Sequence, residues 1–238
     1  MDLQNKTIIV TGAARIGKTV AEDLAAKGAN LVIVYFSNKP EIKTSGGIHF
    51  VQADLTKPQD VNKIVTEAKN KFGAIHGLVH MAANYEKNTW ENLNEEVWNK
   101  SMDAIAKSSF LLGKAVGDEL LKNDGEIKGK IVLFSDWSVI TRPYSDYLPY
   151  NVAKAAVQAL TLSLAKDLSP GVLANCIAPG PILKPDGLTD DENNEVLTNT
   201  LVKRWGSAEE ISKAVLYLMD SDFVTGQILH VDGGRSIA

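Results

Sequence analysis

The fold is decided by residues 6–35, which read KTIIVTGAARIGKTVAEDLAAKGANLVIVY. The β-branched run at residues 6–10 predicts a buried parallel strand. Apolar residues then recur at helical spacing over residues 18–27, and Gly28 follows as a natural helix end. Because a second apolar run covers residues 30–35, the stretch predicts a βαβ unit.

The turn between the first strand and the first helix contains Gly12, Arg15, Ile16 and Gly17. Such a turn brings free backbone amides and the positive end of a helix to one place, where an anionic pyrophosphate binds well. We interpret it as the phosphate-binding loop of a dinucleotide site. The alternative interpretation is an ordinary tight turn.

Strands and helices continue to alternate through the rest of the chain. Further strands are predicted at 49–53, 75–81, 130–135, 173–177 and 227–231, and helices at 59–72, 95–121, 150–168, 195–203 and 208–219. This alternation predicts the α/β class. We expect a single doubly wound Rossmann-type domain over residues 1–238, with about seven parallel strands and helices on both faces.

Two segments depart from the regular pattern. Residues 36–48 are short for a crossover and contain Pro40 and the pair Gly46-Gly47, so we expect at most a stub of helix and a thinly covered sheet on that side. Residues 183–194 are polar and interrupted by Pro185 and Gly187, which favours a flexible substrate flap.

The bulk composition limits the possible partners. A net charge of −4 offers no basic field for nucleic acid, and no apolar run reaches membrane-spanning length. The one cysteine, Cys176, lies in an apolar run, which favours a buried side chain and fits a reducing compartment. The four histidines show no metal-ligand spacing. We therefore expect a cytoplasmic protein that acts on a small molecule, without a metal, nucleic acid or membrane.

The stretch Leu148 to Lys154 carries the clearest chemistry. Tyr150 and Lys154 are four residues apart, so a helix places both on one face. An ammonium beside a phenol favours the tyrosinate, and we therefore expect Lys154 to lower the pKa of Tyr150. Such a tyrosine passes a proton to or from a substrate oxygen. The alternative for an isolated pair of this kind is a half-buried Tyr beside a solvated Lys.

Every feature with chemistry follows the carboxyl end of a predicted strand. In doubly wound sheets that edge is where ligands bind, so we expect these features to form one crevice. They are Gly12 to Gly17, Asp54, Ala82 to Tyr85, Ser135 to Ser138 and Pro179 to Ile182.

By these features the whole chain resembles the short-chain dehydrogenase/reductase family. Four motifs carry the resemblance, in family order and at family distances: Thr11-Gly12-Ala13-Ala14, Tyr150 with Lys154, Asn175-x-x-Ala178-Pro179-Gly180, and Phe223-Val224-Thr225-Gly226-Gln227 leading to Val231-Asp232-Gly233-Gly234.

Membership of this family implies NAD(P)(H)-dependent redox chemistry on a carbonyl, alcohol or imine. It implies Tyr150 as general acid/base, with Lys154 holding the ribose and tuning Tyr150. It also implies a homo-oligomer, a dimer or tetramer, formed through the helices at 95–121 and 150–168. The cofactor contacts it implies are Gly12, Arg15, Ile16, Gly17, Tyr35, Ser37, Asn38, Asp54, Leu55, Ala82, Ala83, Tyr150, Lys154, Pro179, Gly180 and Ile182.

Within the family the chain is most similar to pteridine-reductase-like members and to 3-oxoacyl-[acyl-carrier-protein] reductases. Arg15 lies near the arginine of the pteridine reductases. No acidic residue follows the second strand, where Ser37, Asn38 and Lys39 stand instead. Because an acid there would repel a 2′-phosphate, the sequence favours NADP(H) over NAD(H).

The substrate side shows both likeness and departure. Asp136 stands where pteridine reductases have an aspartate and most of the family has a serine, but its spacing to Tyr150 leaves Ser135 and Ser138 open as the third catalytic residue. Candidate substrate contacts are the aromatic side chains of Tyr85, Trp137, Tyr144 and Tyr147, although some of these tyrosines could instead serve packing or a subunit contact.

Three positions depart from the family pattern. The glycine loop is one residue short, the stretch after the fourth strand reads His80-Met81-Ala82-Ala83, and the helix-bending asparagine is replaced by Ile105. The sequence still predicts an NADP(H)-dependent reductase acting on a carbonyl or pterin-like C=N group. The alternatives are a 3-oxoacyl-[acyl-carrier-protein] reductase-type ketoreductase and a non-catalytic NADP(H)-binding sensor.

Overall fold

The computed structural model describes residues 1–44 and 47–238. Its strands are β1 (Thr7–Thr11), β2 (Asn30–Tyr35), β3 (Ile48–Gln52), β4 (Gly77–His80), β5 (Gly129–Phe134), β6 (Val172–Pro179) and β7 (Ile228–Val231). They form one sheet in the order β3-β2-β1-β4-β5-β6-β7, and every neighbouring pair is parallel. The strand order reverses between β1 and β4, which is where ligands bind in such sheets.

Helices cover both faces of this sheet. They are α1 (Ile16–Ala26), α2 (Pro58–Phe72), α3 (Glu95–Ser101), α4 (Ser108–Leu120), α5 (Leu148–Asp167), α6 (Asp190–Thr198) and α7 (Ala208–Asp220). One core layer packs α1 and α7 against the sheet, and the other packs α2, α4 and α5. Because both faces are covered, the central strands are continuous apolar runs. The doubly wound α/β prediction is confirmed.

The thin side of the sheet is also as predicted. The described residues between β2 and β3, which are 36–44 and 47, contain no helix, while Ser45 and Gly46 lie outside the described residues. Ile42 packs on the core layer of α1, and the Lys43 amide donates to Glu22 on that helix at 2.9 Å. Ile48 and Phe50 on the edge strand β3 remain only half-buried.

The long helical stretch predicted at 95–121 is interrupted by a wider, π-helical turn over Met102–Lys107. Such a turn removes carbonyl partners from the normal ladder. Two hydroxyl groups also bond to carbonyls of this turn: Ser108 Oγ donates to the Ala104 carbonyl at 2.7 Å, and Ser109 Oγ donates at 2.6 Å to the Ile105 carbonyl, which accepts from the Ser108 amide as well. The widened turn is therefore present although an apolar residue, Ile105, stands at the asparagine position.

The prediction of a helix at 195–203 was wrong, because α6 begins five residues earlier, at Asp190. Thr189 starts it with a capping box, in which the Thr189 hydroxyl accepts from the Glu192 amide and the Glu192 carboxylate accepts from Thr189. The capping spacing Thr-x-x-Glu was visible in the sequence. Within residues 1–44 and 47–238, no helix has the length and apolar character needed to cross a bilayer.

Candidate active site

Tyr150 lies in the first turn of α5, where Pro149 fixes the helix start. Its ring is 6% exposed, and its hydroxyl donates to Asp136 Oδ2 at 2.8 Å. Asp136 follows the end of β5. Its other oxygen accepts from both the amide and the hydroxyl of Ser138, at 2.9 and 2.8 Å. The carboxylate is thus held by one turn of its own loop and presented to the tyrosine.

This contact reverses the expected tuning of Tyr150. Burial, and then the charge and hydrogen bond of Asp136, raise the pKa of Tyr150 well above its ordinary value of 10.0. The prediction that Lys154 lowers this pKa was wrong for the present arrangement. The Lys154 ammonium instead donates to the Phe134 carbonyl at 2.8 Å and lies 5.9 Å from the centre of the Tyr150 ring. Tyr150 is therefore a protonated phenol.

Lys154 is 5% exposed. Burial lowers its pKa to about 8, although the charge of Asp136 acts in the opposite direction. A buried ammonium at the carboxyl edge of the sheet retains donors for an incoming ligand, since only one hydrogen bond to it is formed within the described residues.

The three candidates for the third catalytic residue have different surroundings. Asp136 contacts Tyr150, and Ser138 orients Asp136. Ser135 instead joins β5 to α5, because its hydroxyl donates to the Lys154 carbonyl at 2.8 Å and accepts from the Gln158 amide at 3.0 Å. Of the three, Asp136 makes the hydrogen bond to Tyr150, and the Ser135 hydroxyl bonds between β5 and α5.

The four predicted substrate-side aromatics are brought together beside Tyr150. Tyr85 stacks on Tyr147 with ring centres 4.5 Å apart, and its ring meets Tyr150 at 4.9 Å edge to face. Trp137 Nε1 donates to the Tyr144 hydroxyl at 2.7 Å. Burial raises the pKa of both Tyr85 and Tyr144, so these phenols also stay protonated. The site is an aromatic wall around one carboxylate.

A buried hydrogen-bond chain lies behind the site and runs through His80. The Ala82 amide donates to Thr11 Oγ1 at 3.2 Å, and this hydroxyl meets His80 Nδ1 at 2.7 Å. His80 Nε2 lies 3.2 Å from Ser108 Oγ, which itself donates to the Ala104 carbonyl. Because the Ser108 hydroxyl gives its hydrogen to the Ala104 carbonyl, it accepts from Nε2–H of His80. The neutral ring then accepts the Thr11 hydroxyl hydrogen at Nδ1.

His80 is a neutral link in this chain. Burial, and then the nearby Lys154 charge, lower its pKa to about 3. The chain joins the end of β1, the loop after β4 and the widened turn before α4. Sequence reasoning noted His80 only as a departure from the family pattern. The signal in the sequence was the histidine at position 80, whose side chain is long enough to bridge Thr11 and Ser108.

The loop after β1 forms a cradle that excludes side chains. Gly12 has φ +70°, and a Cβ there would lie 2.6 Å from the Ala82 nitrogen. A Cβ on Gly17 would lie 2.1 Å from the Gly12 oxygen. Helix α1 begins at this loop with no side-chain cap and no acidic residue in its first turn, so its positive end is uncompensated. The loop fits a pyrophosphate despite being one residue short.

A second observation at this edge also fits a bound ligand. Both polar atoms of the Asn84 side chain are buried and have no hydrogen-bond partner among residues 1–44 and 47–238. Leaving such a group unpaired costs roughly 1–3 kcal/mol. Asn84 follows Ala82 and Ala83, the residues expected beside the ribose, and it was not among the predicted site residues.

The remaining predicted cofactor positions line the same edge with different exposure. Arg15, Ser37 and Asn38 are exposed, and Tyr35 is half-buried at the end of β2. Asp54 uses its carboxylate to cap its own turn, accepting from the amide and hydroxyl of Thr56, while Leu55 packs on the core. Ile182 is buried in the core layer of α1, and Pro179 and Gly180 are half-buried.

Comparison with known proteins shows similarity over nearly the whole chain. A family model described as Enoyl-(Acyl carrier protein) reductase matches residues 12–236. The chain is 31% identical over 245 residues to 3-oxoacyl-[acyl-carrier-protein] reductase FabG of Staphylococcus epidermidis, covering 97% of this chain and 98% of that protein. It is 30% identical over 246 residues to the protein of that name from Escherichia coli, covering 98% of each.

Solved structures show the same architecture. A short-chain type dehydrogenase/reductase from Mycobacterium ulcerans superposes with a TM-score of 0.90 at 26% identity, covering 100% of this chain and 92% of that chain. Aldohexose dehydrogenase of Thermoplasma acidophilum gives a TM-score of 0.90 at 25% identity, covering 100% and 96%. The point where the strand order reverses, between β1 and β4, and the glycine cradle agree with this likeness, and the matches cover nearly the whole chain. This chain belongs to the short-chain dehydrogenase/reductase family of nicotinamide-dependent oxidoreductases.

Proposed function

We propose that this protein is an NADP(H)-dependent reductase that reduces a carbonyl or a pterin-like C=N group, with Tyr150 as the proton donor. The observation that carries the proposal is the hydrogen bond from the Tyr150 hydroxyl to Asp136, one helical turn from buried Lys154. This arrangement holds a protonated phenol at the carboxyl edge of the sheet. A reduction needs a proton donor positioned beside the substrate, and Tyr150 can supply one here.

The roles that we propose for the residues are those that the family resemblance implies. A bound nicotinamide cofactor would supply the hydride. Gly12 to Gly17 and the start of α1 would hold its pyrophosphate, and Lys154 and the backbone near Ala82 would meet its ribose. Asp54 and Leu55 would flank the adenine, and Pro179 to Ile182 would support the nicotinamide.

Proton transfer is assigned to Tyr150. In the free protein its O–H group points at Asp136. A substrate oxygen or nitrogen that takes the place of one Asp136 contact receives the Tyr150 proton. Asp136, oriented by Ser138, keeps the proton on the phenol until then. Positioned acid catalysis of this kind contributes roughly 10²–10⁴-fold to the rate.

The cofactor preference rests on charge near the end of β2. Arg15 is exposed at the start of α1, and Ser37 and Asn38 are exposed after β2. Lys39 is partly engaged, since its ammonium lies 4.2 Å from the centre of the Phe50 ring. A 2′-phosphate would find donors and a cation here and no carboxylate in the stretch 35–39.

Two substrate classes fit different observations. The stacked rings of Tyr85 and Tyr147, with Asp136 beside them, favour a flat ring that carries hydrogen-bond donors. The relatives named 3-oxoacyl-[acyl-carrier-protein] reductase favour an acyl ketone. Fluorescence titration with NADPH and NADH, followed by a screen of pterins, simple ketones and 3-oxoacyl thioesters, separates them. Binding of NADPH without turnover on any of these would support a sensor and contradict the proposal.

We further propose a dimer or tetramer formed through α4 and α5. Phe110 and Leu162 on these helices are each 52% exposed, and Val152 is 41% exposed. Light scattering after size exclusion should give a multiple of the chain mass, and the double variant Phe110→Lys with Leu162→Lys should shift it towards the monomer. A single domain over residues 1–238, the flexible flap at 183–194 and a cytoplasmic location stay predictions.

A further inference from the structure

We infer that Arg235 is a positioning residue that ties helix α6 to Trp137 in the wall of the active site and thereby sets the affinity for substrate. The inference rests on the proposed function, because it requires a substrate to bind beside Tyr144 and Tyr150. Nothing in the sequence motifs or in the cofactor site assigns a role to Arg235.

The guanidinium of Arg235 contacts two elements at once. On one side its centre lies 5.2 Å from the centre of the Trp137 ring. On the other side it donates to the Val196 carbonyl and to the Glu195 carboxylate, each at 3.0 Å. The side chain is only 11% exposed. The planar guanidinium group can make both contacts, because its face stacks on an aromatic ring while its edge donates hydrogen bonds.

The base of this bridge is held by its own turn. Asp232 accepts from the amides of Gly234 and Ser236, at 2.9 and 2.8 Å. Gly234 has φ +78°, a conformation that favours glycine. The turn therefore presents Arg235 from a fixed backbone, and the flexible partner is the helix it reaches.

Helix α6 needs such an anchor. None of its nine residues, all of them described by the structure, is buried. Side chains from outside the helix hold it: Arg235, Thr200 and Lys203 donate to carbonyls near its end, and Trp205 Nε1 donates to the Asn193 side chain at 2.9 Å. Of these, Arg235 also contacts Trp137. A surface helix without a buried face opens easily. The proposed flap, 183–194, includes the first five residues of this helix, so the position of α6 sets that of the flap.

The contact between Arg235 and Trp137 links the position of α6 to the aromatic side chains of the active site. Trp137 is 5% exposed, and it donates to the Tyr144 hydroxyl at 2.7 Å. The Tyr144 ring in turn meets Tyr85 edge to face, with ring centres 6.1 Å apart. Loss of Arg235 would thus release α6 and loosen one aromatic wall, without touching Tyr150 or Asp136. The expected consequence is weaker substrate binding with nearly unchanged chemistry.

The test compares Arg235→Met, Arg235→Lys and the control Lys213→Met. Lys213 is an exposed cation on α7 that pairs with Glu210, so its loss reproduces the change in charge alone. Both Arg235 variants should raise KM for the substrate about tenfold while kcat stays within about threefold. Lysine keeps the charge but loses the planar guanidinium group, so recovery of wild-type KM in Arg235→Lys would overturn the inference.

Hydrogen exchange over residues 190–198 gives a readout that needs no turnover. Both Arg235 variants should exchange about tenfold faster there than wild type, and Lys213→Met should match wild type. Unchanged exchange, or faster exchange with a wild-type KM, would overturn the inference. If the wild-type protein turns over no substrate, the proposed function fails, and the exchange rates alone then decide whether Arg235 holds α6.

Discussion

The Tyr150 hydroxyl donates to Asp136, and the Lys154 ammonium donates to the Phe134 carbonyl instead of to Tyr150. Burial, and then this contact with Asp136, raise the pKa of Tyr150 and keep it protonated. A carboxylate 2.8 Å away stabilises the phenol, whereas an ammonium would stabilise the phenolate. Tyr150 is therefore held in the protonated state from which it can donate. Because an alcohol oxidation needs the phenolate, that reaction should require a more alkaline medium than the reduction.

The first prediction concerns the charge of Asp136. Asp136→Asn keeps hydrogen-bonding groups but removes the charge that disfavours the phenolate, so the pKa of Tyr150 should fall. In reduction, the alkaline loss of kcat/KM should then begin at a lower pH than in wild type. In oxidation, activity should appear at a lower pH. Initial rates across a pH series in both directions measure this shift.

The comparison variant for Asp136 is Ser138→Ala, which leaves the charge in place and removes one hydroxyl that orients it. Ser138→Ala should lower kcat modestly and leave unchanged the pH at which kcat/KM falls in alkaline medium. If the alkaline loss of kcat/KM began at a higher pH in Asp136→Asn than in wild type, the role assigned to this carboxylate would be contradicted.

The second prediction concerns Arg15, which has φ +49° at the start of α1, a conformation that disfavours a side chain. Arg15→Gly should raise the free energy of unfolding by about 1 kcal/mol, because glycine adopts this conformation freely. It should also reduce the preference for NADPH over NADH, since the cation is lost. Denaturant unfolding and cofactor titrations measure the two effects.

Arg15→Ala separates strain from charge at the same position. Alanine keeps the strained backbone and loses the cation, so the stability gain should be absent while the cofactor preference falls equally. A wild-type ratio of NADPH to NADH affinity in both variants would remove Arg15 from the cofactor site.

The third prediction concerns His80, whose pKa in the folded chain is about 3 instead of 6.5. Between these values the unfolded chain binds more protons than the folded one, so the free energy of unfolding falls as the pH drops from 6.5 towards 3. The loss amounts to at most about 5 kcal/mol. His80→Asn and His80→Leu should both flatten this acid limb in unfolding experiments.

The two His80 variants should differ at pH 7. Asparagine still accepts from Thr11, whereas leucine leaves the hydroxyls of Thr11 and Ser108 without their partner. His80→Leu should therefore lose roughly 1–3 kcal/mol of stability at neutral pH and His80→Asn less. An acid limb as steep as that of wild type in both variants would contradict the neutral link proposed for His80.

The sheet and its ligand edge were predictable because period and turn chemistry are local properties. The βαβ unit at 6–35 and the pair Tyr150 and Lys154 were both visible as patterns. The misplaced start of α6 had a local signal too, the capping box of Thr189 and Glu192. This signal lay in a polar stretch where apolar periodicity gives no guidance.

The parts that could not be predicted depend on contacts between distant segments. Arg235 meets Trp137 across nearly a hundred residues of sequence, and His80 meets Thr11 across sixty-nine. In the widened turn at Ile105, carbonyls accept from the hydroxyls of Ser108 and Ser109, and no helical pattern in the sequence marks these contacts. The direction of the Tyr150 pKa shift followed from the burial of its ring and then from its contact with Asp136, and spacing alone reveals neither.

The most direct test of the proposed function is NADPH-dependent reduction by Tyr150→Phe, with NADPH affinity measured on the same samples by fluorescence titration. Phenylalanine keeps the ring that packs beside Tyr85 and removes only the proton donor. We expect turnover to fall by roughly 10²–10⁴-fold, with the NADPH Kd within about threefold of wild type. Turnover near the wild-type rate in a variant that binds NADPH normally would contradict the assignment of Tyr150 as the general acid.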